Sequence, residues 1–179
     1  PSGDIVTDAP EDEFWRAMVN AGSLIWRFDG NLWEIIGLSL RVSLTAVVLA
    51  AAVGLPLGAV VALIRFPGRG AVAALLDALM GLPPVVIGLL VYLALSRAGP
   101  LGVFGLLFTP SAMIIAQCLL ITPIIAALTR QVIEDLWVEY EEQLRSLGAG
   151  PGRAVPALLW DGRYSLLTAV LAGFGRASA

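Results

Sequence analysis

The chain has 179 residues, 58% of them hydrophobic, with a mean hydropathy of +0.86 and only 14% charged. Soluble domains average about a quarter charged residues, so this composition excludes an ordinary soluble domain and assigns most of the chain to lipid. The net charge of −3 comes from acidic residues gathered in the first 34 positions and between 134 and 142, with no Lys and no His anywhere. That balance offers no basic face for a nucleic acid.

Residues 1–37 open with Asp4, Asp8, Glu11, Asp12 and Glu13, where a secretory signal would carry basic residues. They read as an acidic tail followed by an interfacial helix, with Trp15, Trp26 and Trp33 suited to the headgroup level. The rest, 38–179, reads as an all-α transmembrane domain. Residues 42–64 hold no charge over 23 positions, about 34 Å of helix at roughly 1.5 Å per residue, enough to cross a hydrocarbon core of about 30 Å. RFPGRG at 65–70 supplies turn chemistry and two interfacial Arg.

A second crossing is expected over 71–96, with Asp77 its one charge. Asp77 stands only about 10 Å of helix beyond Gly70, which favours a structural contact near that end of the span. The next uncharged run, 98–129, is 32 residues long. Its Gly- and Pro-rich first third reads as a loop or re-entrant piece, and the third span as 111–129. Residues 164–175 are apolar but too short to cross. With a first residue that is not Met, they imply a fragment or processed chain, truncated in its fourth span 164–179.

Four prolines fall inside the spans: Pro56, Pro83, Pro84 and Pro123. Each removes a backbone hydrogen bond and can kink its helix, although membrane helices also accept Pro as shape alone. Pro83 and Pro84, flanked by Gly81 and Gly88, are expected to line a path where an anion would meet N–H groups freed at a helix break. Gln117 and Thr122 fit either such a path or contacts between helices.

The segment 130–163 is polar again. Ile133, Leu136, Trp137, Tyr140, Leu144 and Leu147 recur at steps of three and four, one face of a helix, with Glu134, Asp135, Glu139, Glu142 and Arg145 opposite. Glu141 and Arg145 form a favourable i, i+4 pair. Gly148 falls where a helix end wants a left-handed residue, and Gly150, Pro151 and Gly152 prevent continuation. Two readings remain open: a helix lying on the membrane, or one whose apolar ridge fills a groove in a soluble partner. Arg65 and Arg69 in one connection, with Arg130, Arg145, Arg153 and Arg163 in another, place 65–70 and 130–163 in the cytoplasm and the N-terminus outside.

Catalysis finds little support. Without Lys there is no phosphate-binding loop, without His no His-based metal hydrolase, and Asp77 alone cannot make an intramembrane aspartyl pair. No catalytic residue, metal or cofactor is assigned. A transport subunit is the favoured reading, and a non-transporting membrane adaptor docking a soluble partner is the alternative.

The spacing EQLRSLGAGPGRAV at 142–155 resembles the cytoplasmic loop of the membrane subunits of binding-protein-dependent ABC importers, whose pattern is Glu-Ala-Ala, three residues, then Gly. Glu142 takes the Glu position and Gly148 the Gly, with Leu147 and Ala149 around it and Arg153–Ala154 five residues on. Gln143 and Leu144 replace the two Ala, and Trp160 and Asp161 stand where the pattern closes on Leu-Pro. LRVSLTAVVLAAAVGLPLGAVVAL, ALMGLPPVVIGLLVYLALSRAGPLG, LLFTPSAMIIAQ and LTAVLAGFGRA are similar to tungstate-type permeases, the group related to molybdate and sulfate permeases. The resemblance covers roughly residues 30–179.

It implies a type I ABC importer core in a bacterial or archaeal plasma membrane. The subunit would dimerise, pair with ATP-binding cassette ATPase subunits and receive an oxyanion from an extracytoplasmic binding protein. Glu142, Arg145, Leu147, Gly148, Ala149 and Arg153 would form the ATPase-coupling loop. Pro83, Pro84, Gly88 and Gln117 are the candidates for the translocation path.

Overall fold

The computed structural model describes residues 14–16, 18–19 and 30–178. Among them every regular element is helical: α1 (Gly30–Leu63), α2 (Arg69–Met80), α3 (Pro84–Leu95), a 3₁₀ turn (Gly102–Phe104), α4 (Pro110–Ser146), α5 (Pro151–Asp161) and α6 (Arg163–Ser178). Residues 1–41 form one compact unit and Val42–Ala179 the other. In the first, Phe14, Trp15, Met18 and Val19 are helical with more than half of their surface exposed, as is Trp33. Trp26 and the five acidic residues before position 14 lie outside the described residues.

Two helices are long and apolar enough to cross a membrane, over Leu32–Leu63 and Pro110–Ser146. Within the larger unit they meet along a stripe of small residues. Ala46, Ala50, Gly54 and Gly58 recur at steps of four on α1, and all four are buried. Small side chains let backbones approach. A Cβ on Gly58 would collide with the Ala126 carbonyl and lie 2.7 Å from the Thr129 Cβ, so only Gly fits where α1 meets α4. Ala46, Val47 and Ala50 form one buried cluster with Ile121 and Ile125 of α4, against which Val170 and Phe174 of α6 pack.

The crossing expected over 71–96 is two helices. α2 and α3 are bent by 102° at Gly81–Leu82–Pro83, a broken span or a re-entrant turn. The cause is local. A residue before Pro is pushed out of the helical region, and here the rule acts twice, on Leu82 and then on Pro83, which has ψ 136°. Pro84 then suits the first position of α3, where the missing N–H costs nothing.

A second difference concerns the third span and the amphipathic segment after it, expected as separate helices. They are one helix of 37 residues, α4. Thr109 caps its start, accepting a hydrogen bond from the Ala112 N–H, and Pro110 stands at its first position. Between Pro123 and Gly148 the sequence has neither Gly nor Pro, so nothing interrupts it.

Candidate functional site

α4 ends in a corner. The Gly148 N–H donates to the Arg145 carbonyl and the Ala149 N–H to the Leu144 carbonyl, at 3.0 and 2.9 Å, the paired bonds of a Schellman cap. Gly148 has φ +73°, a conformation other residues adopt at a cost. α5 follows at once from Pro151 and folds back. Ala154 and Leu158 of α5 are buried with Ile133 of α4 and with Ala59, Ala62 and Leu63 of α1, and Leu136, Trp137, Tyr140 and Leu144 pack against them.

This packing corrects the reading of the apolar ridge as a filler of a partner's groove. Ile133, Leu136, Trp137, Tyr140 and Leu144 are occupied within the chain itself. Leu147 alone leaves the ridge, 83% exposed at the tip. The six coupling-loop candidates gather around that tip: Glu142, Arg145, Leu147, Gly148 and Arg153 are exposed and Ala149 is half-buried. The Glu141–Arg145 pair forms at 2.6 Å on the outer face.

Beneath the corner lies a chain of ion pairs. Arg69 donates from Nε to the Val61 carbonyl and from Nη2 to the Ala62 carbonyl, both at 2.7 Å, satisfying the open end of α1. Its Nη2 also meets Glu134 Oε1 at 2.6 Å. Arg130 reaches Glu134 Oε2 at 2.9 Å and holds both oxygens of Asp77, at 3.0 and 3.1 Å. Asp77 therefore makes a structural contact. Arg69 and Glu134 entered the sequence reading only as a topology marker and a polar-face residue. The partners of Arg69 stand 7 to 65 positions away along the chain, and only the fold joins them.

At the α2–α3 break the structure brings together three of the four path candidates. Pro84, Gly88 and Gln117 line a cavity of about 380 Å³, with Ile87, Ala116 and Leu120. Pro83 is not on its wall; it precedes α3. Arg176, which carried no role in the sequence reading, lines the same cavity, as does Ala177. Its Nη2 donates to the Leu82 carbonyl at 3.3 Å. Gln117 Nε2 donates to the Ala177 carbonyl at 3.3 Å, and its Oε1 is buried without a partner. An Arg at the foot of an apolar run was the available signal. A second cavity, about 570 Å³, is walled chiefly by Leu and Ile, with Thr122 and Cys118 as its polar members.

These features define a class: a polytopic helical membrane protein with two long apolar helices, a sharply bent helix pair between them and a helix-turn-helix corner at the end of the second. The family model described as "Binding-protein-dependent transport system inner membrane component" matches residues 54–159, from the α1–α4 crossing through the corner. A "Probable anion ABC transporter permease protein" of Haloferax volcanii is 38% identical over 146 residues, 82% of this chain and 63% of that protein. The "Tungstate uptake system permease protein TupB" of Peptoclostridium acidaminophilum is 39% identical over 157 residues, 88% and 69% of the two chains. The "Molybdenum transport system permease protein ModB" of Escherichia coli is 30% identical over 128 residues, 68% and 56%. The chain thus spans about two thirds or less of the length of these relatives. It belongs to the family of binding-protein-dependent transport system inner membrane components. The family is one of transport components, not of enzymes, and its place is the inner membrane, crossed more than once.

Proposed function

We propose that this chain is the membrane-spanning subunit of an ATP-driven oxyanion importer, with tungstate the first candidate and molybdate or sulfate the others. The observation that carries this reading is the corner at Gly148: an exposed tip held rigid by an internally packed base. A surface that must pass force to a partner needs that rigidity. Residues 142–153 would dock an ATPase subunit carrying the nucleotide chemistry this chain lacks, and nucleotide would bias the membrane helices between two states. A binding protein on the other side would deliver the anion, and two copies would enclose the path. The names of the relatives support an oxyanion cargo.

In this reading the corner faces the cytoplasm. With Cys118 replaced, single cysteines at Val103 and Ser146 take an impermeant thiol reagent from opposite sides of the membrane. Labelling of both from one side removes the docking assignment. The function itself is tested in vesicles holding the assembled transporter, with binding protein outside and ATP inside. Tungstate should accumulate, and loaded binding protein should stimulate ATP hydrolysis. Hydrolysis without anion entry would instead mark an adaptor. Titrating the binding protein with tungstate, molybdate and sulfate ranks the cargo.

A further inference from the structure

We propose that Arg176 and Gln117 form an oxyanion subsite within the membrane, in the cavity at the break between α2 and α3. The inference rests on the importer reading above and names the groups that would meet the cargo.

Position comes first. Gln117 stands 13 residues before Arg130 on the same unbroken helix, about 20 Å along its axis at roughly 1.5 Å per residue. Arg130 belongs to the ion-pair chain, and between the two α4 has no charged residue. Arg176 lines the same cavity as Gln117 and is exposed in this chain, so in the importer reading its guanidinium sits at the level of Gln117.

A charge at that depth is costly and marks function by default. The other cations near the corner show how this chain treats charges that serve structure: Arg69 and Arg130 are each tied to carboxylates. Arg176 is not. Among the described residues no carboxylate lies within ion-pair distance of it, and none lines the cavity. Among the described residues its guanidinium donates to the Leu82 carbonyl at the helix break. A guanidinium has five N–H donors in a planar fork that suits two oxygens of a tetrahedral anion, so most of its capacity remains for a ligand.

Gln117 adds a second donor group. One N–H of its amide is spent on the Ala177 carbonyl and one is left. Its buried Oε1 has no partner and can accept from a water that accompanies the anion. The twelve-residue α3 also begins at this wall with Pro84, so the positive end of its backbone faces the same space. A cavity of about 380 Å³ accommodates a tetrahedral oxyanion with part of its hydration shell. One cation against a dianion makes a weak site, which is what passage requires: attraction enough to enter and little enough to leave.

The test uses the assembled transporter in vesicles, with tungstate as the probe and vesicle tungsten content as the readout, beside ATP hydrolysis stimulated by loaded binding protein. Removing a charge-assisted contact, Arg176→Gln should lower uptake by about tenfold or more while stimulated hydrolysis stays near wild type. Arg176→Lys, which keeps the charge, should recover most of the uptake. Wild-type uptake by Arg176→Gln overturns the subsite. So does parallel loss of uptake and hydrolysis that Lys does not restore, because that is the mark of a structural residue. Should Arg176→Gln fail to assemble, Gln117→Leu decides: uptake reduced several-fold with hydrolysis intact supports the site, and unchanged uptake sinks it. Absence of uptake in the wild-type assembly would remove the importer reading itself, a different result from any of these.

Discussion

The ion-pair chain beneath the corner and the cavity at the helix break treat charge in opposite ways. In the first, Arg69, Glu134, Arg130 and Asp77 neutralise one another and cap the end of α1, binding three helices together. In the second, Arg176 faces a largely apolar wall with one carbonyl for company. Charges that close on each other give a fixed joint, whereas Arg176 has no carboxylate beside it among the described residues. The difference separates the parts of this membrane protein that hold its shape from the part offered to a ligand.

Three substitutions probe that contrast in falling order of effect on stability, the second measured beside Arg176→Gln as its comparison. Gly58→Val attacks the frame on which both regions hang. Its side chain would meet the Ala126 carbonyl and Thr129, so overpacking should cost about 3 kcal/mol or more, read as loss of monodisperse protein in detergent. Wild-type thermal stability would mean the helices can separate there at little cost. Arg130→Gln leaves Asp77 and Glu134 without their shared cation, and because these carboxylates are partly exposed the loss should be about 1 to 3 kcal/mol. Arg176→Gln, measured beside it, should leave the melting temperature unchanged. If the two variants melt alike, the division between closed and open charges fails. Gly148→Val strains the left-handed end of α4 by about 1 kcal/mol and leaves insertion intact. It should nonetheless abolish uptake, since it re-aims the exposed tip; normal transport would show that this turn does not shape the docking surface.

What could be read from residues alone follows the range of the forces involved. The left-handed end at Gly148, the Glu141–Arg145 pair, the turn at 65–70 and the apolar first span are set by neighbours within a few positions, and the sequence states them. Pro83–Pro84 was legible as a break, but its size was not, because adjacent prolines remove two helical residues in succession where a single one only bends a helix. The extent of α4 was obscured by a change of solvent midway: the apolar run ends at Thr129 while the backbone continues to Ser146. The ridge from Ile133 to Leu144 shows one apolar face whether it meets a partner or its own α5, and the pattern cannot tell the two apart. The step-of-four series Ala46, Ala50, Gly54, Gly58 stood in plain view and gives the α1–α4 contact directly. The company of Gln117 and Arg176, 59 positions apart, belongs to tertiary structure.

The unbroken course of α4 has a mechanical corollary. The rod is pinned where Gly58 of α1 admits no side chain between it and Ala126. From that fulcrum to Ser146 is 20 residues, about 30 Å, and back to Pro110 is 16 residues, about 24 Å. The two arms are nearly equal, so a tilt imposed at the tip reappears at the opposite end with its sense reversed and about four fifths of its amplitude. Gln117, nine residues from the fulcrum on the far arm, swings through roughly half of that far-end travel. In the importer reading, a displacement at one face of the membrane would reach the wall of the cavity as a smaller, opposite one, passing Pro123 inside the helix on its way.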